Sequence, residues 1–287
     1  MTVVFGTGGI ATLTLETVDA VPPSVGPAVR VTVSGVAAMT TFTLTRLCEG
    51  ESETVPGWRA KQIVDSLVDT DWVAPTNRPV MYSLLVNGAI VASATITLSS
   101  LYAWLQDPLQ PDKSIAVLTD RDADGYLTMR DDALKNADYN SGSQPIRILG
   151  SRLPVAFGGQ VGAAAKVNAS MRSTDPDTTS RMRELRSEAP ILLLRTTTDM
   201  VPLPALAYLL ADVSEQPVTV HKGGKLTRWV VTGDLVAAVM QAAVTGSVTY
   251  DQVQQLLAGY TYDQVQAKAA GTTYLDWQKN PLIFSTL

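Results

Sequence analysis

The sequence predicts a mainly β protein: two antiparallel β-sandwich domains followed by a short helical segment at the C-terminal end. Three observations carry this reading. Period-two alternation runs through the first hundred residues, turn clusters cut it into short pieces, and short apolar runs resume beyond residue 113. In Ala11-Thr-Leu-Thr-Leu-Glu, Ala28-Val-Arg-Val-Thr-Val, Thr41-Phe-Thr-Leu-Thr-Arg-Leu and Ala92-Ser-Ala-Thr-Ile-Thr-Leu, alternation places Leu13, Leu15, Val29, Val31, Phe42, Leu44, Ile96 and Leu98 on buried faces. Thr, Ser and Arg are expected outward. Pro22-Pro23, Gly50, Pro56-Gly57 and Pro75 separate the strands, and Asn87-Gly88 predicts a type I′ hairpin because both residues accept positive φ.

Residues 1–100 therefore read as a sandwich of immunoglobulin or fibronectin III type. Residues 101–113 break the pattern with two prolines and no period, and are expected to be a linker. Residues 114–240 read as a second β-sandwich with one helix at about 176–188, where Thr174 or Asp175 caps, Pro176 suits the first turn, and Met182, Leu185 and Ala189 form a stripe. Arg181, Arg183 and Arg186 are expected on a solvated face, paired with Asp177, Glu184 and Glu188.

Residues 241–287 carry a short repeat: Thr249-Tyr-Asp-Gln-Val, Thr261-Tyr-Asp-Gln-Val and Thr273-Tyr-Leu-Asp-Trp. Thr followed three residues later by Gln252 or Gln264 is a capping box, and Gly259 and Gly271 stand where helices stop. Helices this short are marginal alone in water. Their apolar positions, Tyr250, Val253, Leu257, Tyr262, Val265, Tyr274 and Trp277, are thus the candidate anchors of an interface.

Composition removes several classes of function. Lys+Arg 22 against Asp+Glu 27 leaves a net charge of −5, so a basic nucleic-acid footprint is not expected. One cysteine, Cys48, cannot form an intrachain disulfide. The N-terminus lacks the basic region and cleavage signal of a secretory peptide, and the apolar stretch Leu235–Val244 is about half of what a membrane helix needs, so a soluble chain without a span is expected.

No catalytic residue is nominated. The one histidine, His221, has neither a nucleophile elbow nor a cysteine context, and one Cys with one His cannot build a zinc site. One stretch has metal-site spacing. Asp120, Asp122, Asp124, the Tyr126 carbonyl, Thr128 and Asp131 fall at positions 1, 3, 5, 7, 9 and 12 of a calcium-type loop, with Gly125 at position 6. Asp rather than Glu at the last position and a strand-like lead-in leave two readings, a structural calcium or an acidic solvent loop; no other cofactor is expected. Trp58, Trp72, Trp104, Trp229 and Trp277 read as packing residues before they read as a sugar-stacking platform.

Several segments together resemble the minor tail proteins of siphophages infecting actinobacteria. These are Trp104-Leu-Gln-Asp-Pro-Leu, Ile148-Leu-Gly-Ser-Arg-Leu-Pro-Val, the Arg-rich helix leading into Ala189-Pro-Ile-Leu-Leu-Leu-Arg, Leu226-Thr-Arg-Trp-Val-Val, and the Thr-Tyr repeats ending Tyr274-Leu-Asp-Trp-Gln-Lys-Asn-Pro-Leu. The resemblance covers roughly residues 100–287. It implies a non-enzymatic virion component at or near the tail tip, made in the host cytoplasm, whose second domain is galectin-like or similar to distal tail proteins. Its implied partners are other phage tail proteins, in a homo-oligomeric ring or attached to one. The alternative reading is a carbohydrate-binding module that meets a glycan of the host envelope.

Overall fold

The computed structural model describes residues 3–7, 11–37, 40–62, 66–130, 132–135, 138–139, 144–146, 155–157, 163–198, 200, 203–218 and 226–238. The chain divides into two compact units, Met1–Ala243 and Val244–Leu287, and the second lies outside the described residues. The three Thr-Tyr repeats and all seven anchor positions in them fall there.

Nine strands fill the first part: β1 (Val3–Thr7), β2 (Thr12–Val18), β3 (Ala28–Ser34), β4 (Thr41–Cys48), β5 (Glu51–Thr54), β6 (Lys61–Gln62), β7 (Ser66–Asp71), β8 (Pro79–Val86) and β9 (Ala89–Thr97). They form a four-stranded sheet in the order β1-β2-β3-β7 and a second in the order β5-β4-β8-β9, with β6 also on β4. All eight residues that alternation assigned inward are buried, and residues from both sheets share one core around Trp58. Asn87 (φ 51°) and Gly88 (φ 80°) make the two-residue turn between β8 and β9, with Val86 paired to Ala89.

The second part adds β10 (Ala103–Gln106), β11 (Ser114–Leu118), β12 (Leu127–Met129), β13 (Asp138–Tyr139), β14 (Gln144–Ile146), β15 (Val155–Phe157), β16 (Ala164–Ala165), β17 (Val167–Asn168) and β18 (Met171–Ser173). The helix α1 (Pro176–Glu188), β19 (Leu192–Arg195), β20 (Leu206–Pro217) and β21 (Thr227–Leu235) complete it. Seven of these strands run β21-β18-β12-β11-β10-β19-β20, and β20 pairs back onto β21, so the sheet closes on itself. The expected second sandwich is thus a closed ring. Closure follows from the length of β20: Leu206–Leu209 pairs with β19, while Leu209–Pro217 pairs with β21. Among the described residues no helix is long and apolar enough to cross a membrane.

The expected linker differs as well. Residues 103–106 are β10, central in the ring between β11 and β19 and buried along its whole length. A strand covered on both faces has no polar alternate, which is why Ala-Trp-Leu-Gln shows no period. Pro108 and Pro111 follow the strand rather than interrupt it.

Helix α1 has the bounds its sequence predicts. Asp175 is the N-cap, its carboxylate accepting from the Thr178 N–H at 2.8 Å, and Met182 and Leu185 enter the ring's core beside Trp229. Its arginine face is less solvated than expected. Arg183 pairs with Glu215 on β20, and Arg181 is half-sequestered, donating to the carbonyls of Pro23 and Ser114 at 2.9 Å each.

Candidate functional site

The chemistry-bearing side chains gather where the β4-β8 sheet meets the ring. On β4, Arg46 is in phase with Phe42 and Leu44 and therefore points inward, although its charge led to an outward expectation. It is 1% exposed, and its Nη1 donates to Asp71 Oδ2 at 2.6 Å and its Nε to Glu53 Oε1 at 2.7 Å. Register supplies these partners: Arg46 stands opposite Glu53 on β5 and opposite Tyr82 on β8. The Tyr82 hydroxyl donates to the same Asp71 oxygen at 2.8 Å, and the other Asp71 oxygen accepts from the Val73 N–H at 3.1 Å.

Burial disfavours the Arg46 charge, but Asp71 and Glu53 outweigh it and hold the guanidinium above its ordinary pKa. Burial and the Asp71 charge both raise the Tyr82 hydroxyl, so it stays a donor at neutral pH. Tyr208, on the outer face of β20, is pushed up to about 12, chiefly by burial. Its hydroxyl and Arg46 Nη2 face this same region without a partner in hydrogen-bond geometry.

A second buried arginine comes from the ring. Arg195, at the end of β19, is fully buried; its Nη1 donates to the Trp72 carbonyl at 3.2 Å and to Gln106 Oε1 at 3.4 Å. Its Nε and Nη2 have no partner among the described residues. Burial lowers its pKa to about 10, with Asp71 opposing that shift, so it remains a cation at neutral pH.

Arg46, Asp71 and Tyr82 thus tie the two sheets of the first part to each other, and other groups cross to the ring. Gln106 Nε2 donates to the Trp72 carbonyl at 3.3 Å, and Arg78 bridges Glu49 at 2.6 Å to the Thr196 carbonyl at 3.2 Å. The β2–β3 loop also docks on the ring: Pro23 accepts from the Ala116 N–H at 3.0 Å, and the Gly26 N–H donates to Ser114 Oγ at 3.1 Å. A Cβ at Gly26 would stand 3.1 Å from Arg195 Nη1 and 3.3 Å from the Trp104 ring, so any side chain here presses on both and one must give by a few tenths of an ångström. Arg78, Arg195 and backbone carbonyls join the first part to the ring, while Arg46, Asp71 and Tyr82 hold the first part's own two sheets together.

Beside the junction lies an open cleft of about 540 Å³. Cys48, Glu49, Glu51 and Glu53 line it together with apolar residues that include Leu203, Leu206 and Val236. Burial, aided by Glu49, pushes the Cys48 thiol up. That is the reverse of an activated nucleophile, which needs an electropositive surrounding.

The acidic loop is tied down by protein. Asp122 Oδ1 accepts from Arg172 Nε at 2.6 Å, Asp124 Oδ1 from the Thr174 hydroxyl at 2.8 Å, and the Gly125 N–H donates to Asp175 Oδ2 at 2.8 Å. Asp120 is exposed, Tyr126 packs on Tyr102 with ring centroids 5.2 Å apart, and Thr128 lies buried inside β12, where its hydroxyl donates to the Arg121 carbonyl at 3.1 Å. Asp131 lies outside the described residues. Among those described, no three His, Cys, Asp or Glu side chains converge as a metal-binding group.

Trp58, Trp104 and Trp229 are fully buried, with Trp104 Nε1 donating to Ser100 and Trp229 Nε1 to Ser173, so none of the three is a surface platform. His221 and Trp277 lie outside the described residues.

Fold and junction together define a mainly β protein in which two sheet systems are fastened by buried charge. No family model matches the chain, and no curated protein or solved structure is significantly similar to it.

Proposed function

We propose that this chain is a structural component of a phage tail, positioned at or near the tip, that works through interfaces and not by making or breaking bonds. The buried polar groups are the observation that carries the reading: Arg46, Asp71 and Tyr82, which tie the two sheets of the first part, and Arg78 and Arg195, which bond across to the other body, are the groups best suited to chemistry, and all are buried and engaged in structure. A rigid two-part scaffold of this kind suits a part that must hold its shape under load. The resemblance of residues 100–287 to actinobacterial siphophage minor tail proteins supplies the setting, and the two sheets of the first part are read as an immunoglobulin- or fibronectin III-like sandwich.

In this reading the Thr-Tyr arm provides the contact with neighbouring tail subunits, with Tyr250, Val253, Leu257, Tyr262, Val265, Tyr274 and Trp277 as anchors. The test is incorporation into virions. A chain ending at Gly246 should fall well below the full chain's copy number in purified particles; unchanged stoichiometry removes the arm's role, and absence of the full chain from particles removes the proposal. A glycan-binding role has one feature in its favour, the half-exposed Tyr102–Tyr126 pair beside the acidic loop. Glycan-array binding lost on Tyr102→Ala would promote that reading over the first.

A further inference from the structure

Strand β5 is the terminal strand of its sheet and, among the described residues, pairs with β4 alone. A terminal strand keeps one row of backbone N–H and C=O groups unpaired and so accepts an added strand. The side chains of β5 decide which strand fits. Glu51 stands opposite Cys48 and Glu53 opposite Arg46, so both carboxylates lie on the face of the sheet that Arg46 shares with Phe42 and Leu44. Ser52, between them, belongs to the other face.

That edge is negative where solvent meets it. Arg46 and Arg78, which pair with Glu53 and Glu49, are 0% and 9% exposed, against 27% and 52% for the carboxylates themselves. Glu51 is exposed and has no ion pair among the described residues. All three glutamates line the cleft of about 540 Å³, together with the apolar Leu203, Leu206 and Val236, and its described lining includes no Lys or Arg. Tyr208 lines it too; it is 3% exposed, and its hydroxyl has no hydrogen-bond partner. A free backbone edge, an unpaired carboxylate and an unsatisfied buried hydroxyl therefore border one opening.

We infer that this edge accepts an extended basic segment of a partner protein, which adds to β5 as a further strand with Lys or Arg at two alternate positions, opposite Glu51 and Glu53. Residues directly opposite across a strand pair share a face, so both cations turn toward the cleft, where their aliphatic stems cover its apolar lining. The residue between them faces Ser52 and is turned away. A second copy paired edge to edge through β5 is not the occupant, because Glu51 and Glu53 of the two copies would then stand across from one another, and opposed like charges destabilise a strand pair. The inference goes beyond the assembly reading: it needs neither the Thr-Tyr arm nor the tail setting, and its failure leaves virion incorporation untouched.

Titration of the full chain with the end-blocked peptide Thr-Lys-Thr-Lys-Thr-Val tests it, against the isomer Thr-Lys-Lys-Thr-Thr-Val, whose adjacent lysines fall on opposite faces of a strand. The alternating peptide should saturate the chain below about 1 mM, weaken with added salt and protect β5 amides from hydrogen exchange. It should bind roughly fivefold more tightly than the isomer, the upper worth of one opposed ion pair. Glu51→Lys, at an exposed position, should weaken it roughly tenfold by turning attraction into repulsion, whereas Ser52→Lys, which adds a cation on the other face, should change it less than about twofold. Equal binding of the two peptides, equal loss in the two variants, binding that leaves the β5 amides unprotected, or no saturation by about 1 mM overturns the inference.

Discussion

Replacing Asp71 with Asn probes the buried cluster that ties the two sheets of the first part beside the ring. Asp71 is 2% exposed and accepts three hydrogen bonds, from Arg46, Tyr82 and the Val73 N–H. Asn keeps the shape and one acceptor oxygen but removes the charge. Arg46, itself fully buried, is then left with Glu53 alone, and Arg195 loses the carboxylate that opposes its desolvation. Breaking a buried ion pair from one side costs about 3–5 kcal/mol, and retained hydrogen bonding places Asp71→Asn near the lower end, about 3 kcal/mol. For a unit of this size that lowers Tm by about 6–12 °C. Urea unfolding followed by circular dichroism and by fluorescence of the buried tryptophans measures it. Arg46→Met added to Asp71→Asn should recover part of the loss, because the stranded cation goes with it. A loss below about 1 kcal/mol, or a double variant as damaged as the sum of the singles, refutes the argument that this pair fastens the two sheets of the first part.

Further outcomes follow from single sites. Gly26→Ala should destabilise by about 1–3 kcal/mol by pressing on Arg195 and Trp104, measurable as a lower urea midpoint. Asp175→Ala removes the α1 cap and costs about 1 kcal/mol. Burial alone would raise the Asp175 carboxyl, but the N–H groups of Thr178 and Gly125 outweigh that and hold it below its ordinary value. Its contribution should therefore be complete above about pH 4 and vanish as pH falls through the depressed folded value, so parent and Asp175→Ala should converge only in acid. Calcium titration decides the acidic loop: a metal site predicts heat on binding and a Tm lowered by chelator, whereas a loop held by Arg172 and Thr174 predicts neither.

Much of the fold was legible because single-faced strands advertise themselves. Leu13, Val31, Leu44 and Ile96 all alternate with Thr or Arg, and all are buried. Helix α1 was bounded by Asp175-Pro176, and the β8–β9 hairpin by Asn87-Gly88. The misses share a cause, since β10 is buried on both faces and so has no period to detect. In β20 the buried stretch Ala207-Tyr-Leu passes into a half-exposed hairpin, so no single pattern spans it. Ring closure depends on that strand, hence the expectation of a sandwich. Of the candidate site almost nothing was legible. Arg46 carried a signal, its phase with Phe42 and Leu44, but its meeting with Asp71, Tyr208 and Arg195 is a product of tertiary approach that spacing does not encode.

Imaging of purified virions at a resolution that identifies side chains tests the central claim most directly. The account predicts this chain in a fixed number of copies at the tail tip, each unit Met1–Ala243 retaining the Arg46–Asp71 pair and the Arg78 and Arg195 bonds across the junction. Virions lacking the chain, with the protein recovered only as a free monomer that converts a substrate, would contradict it.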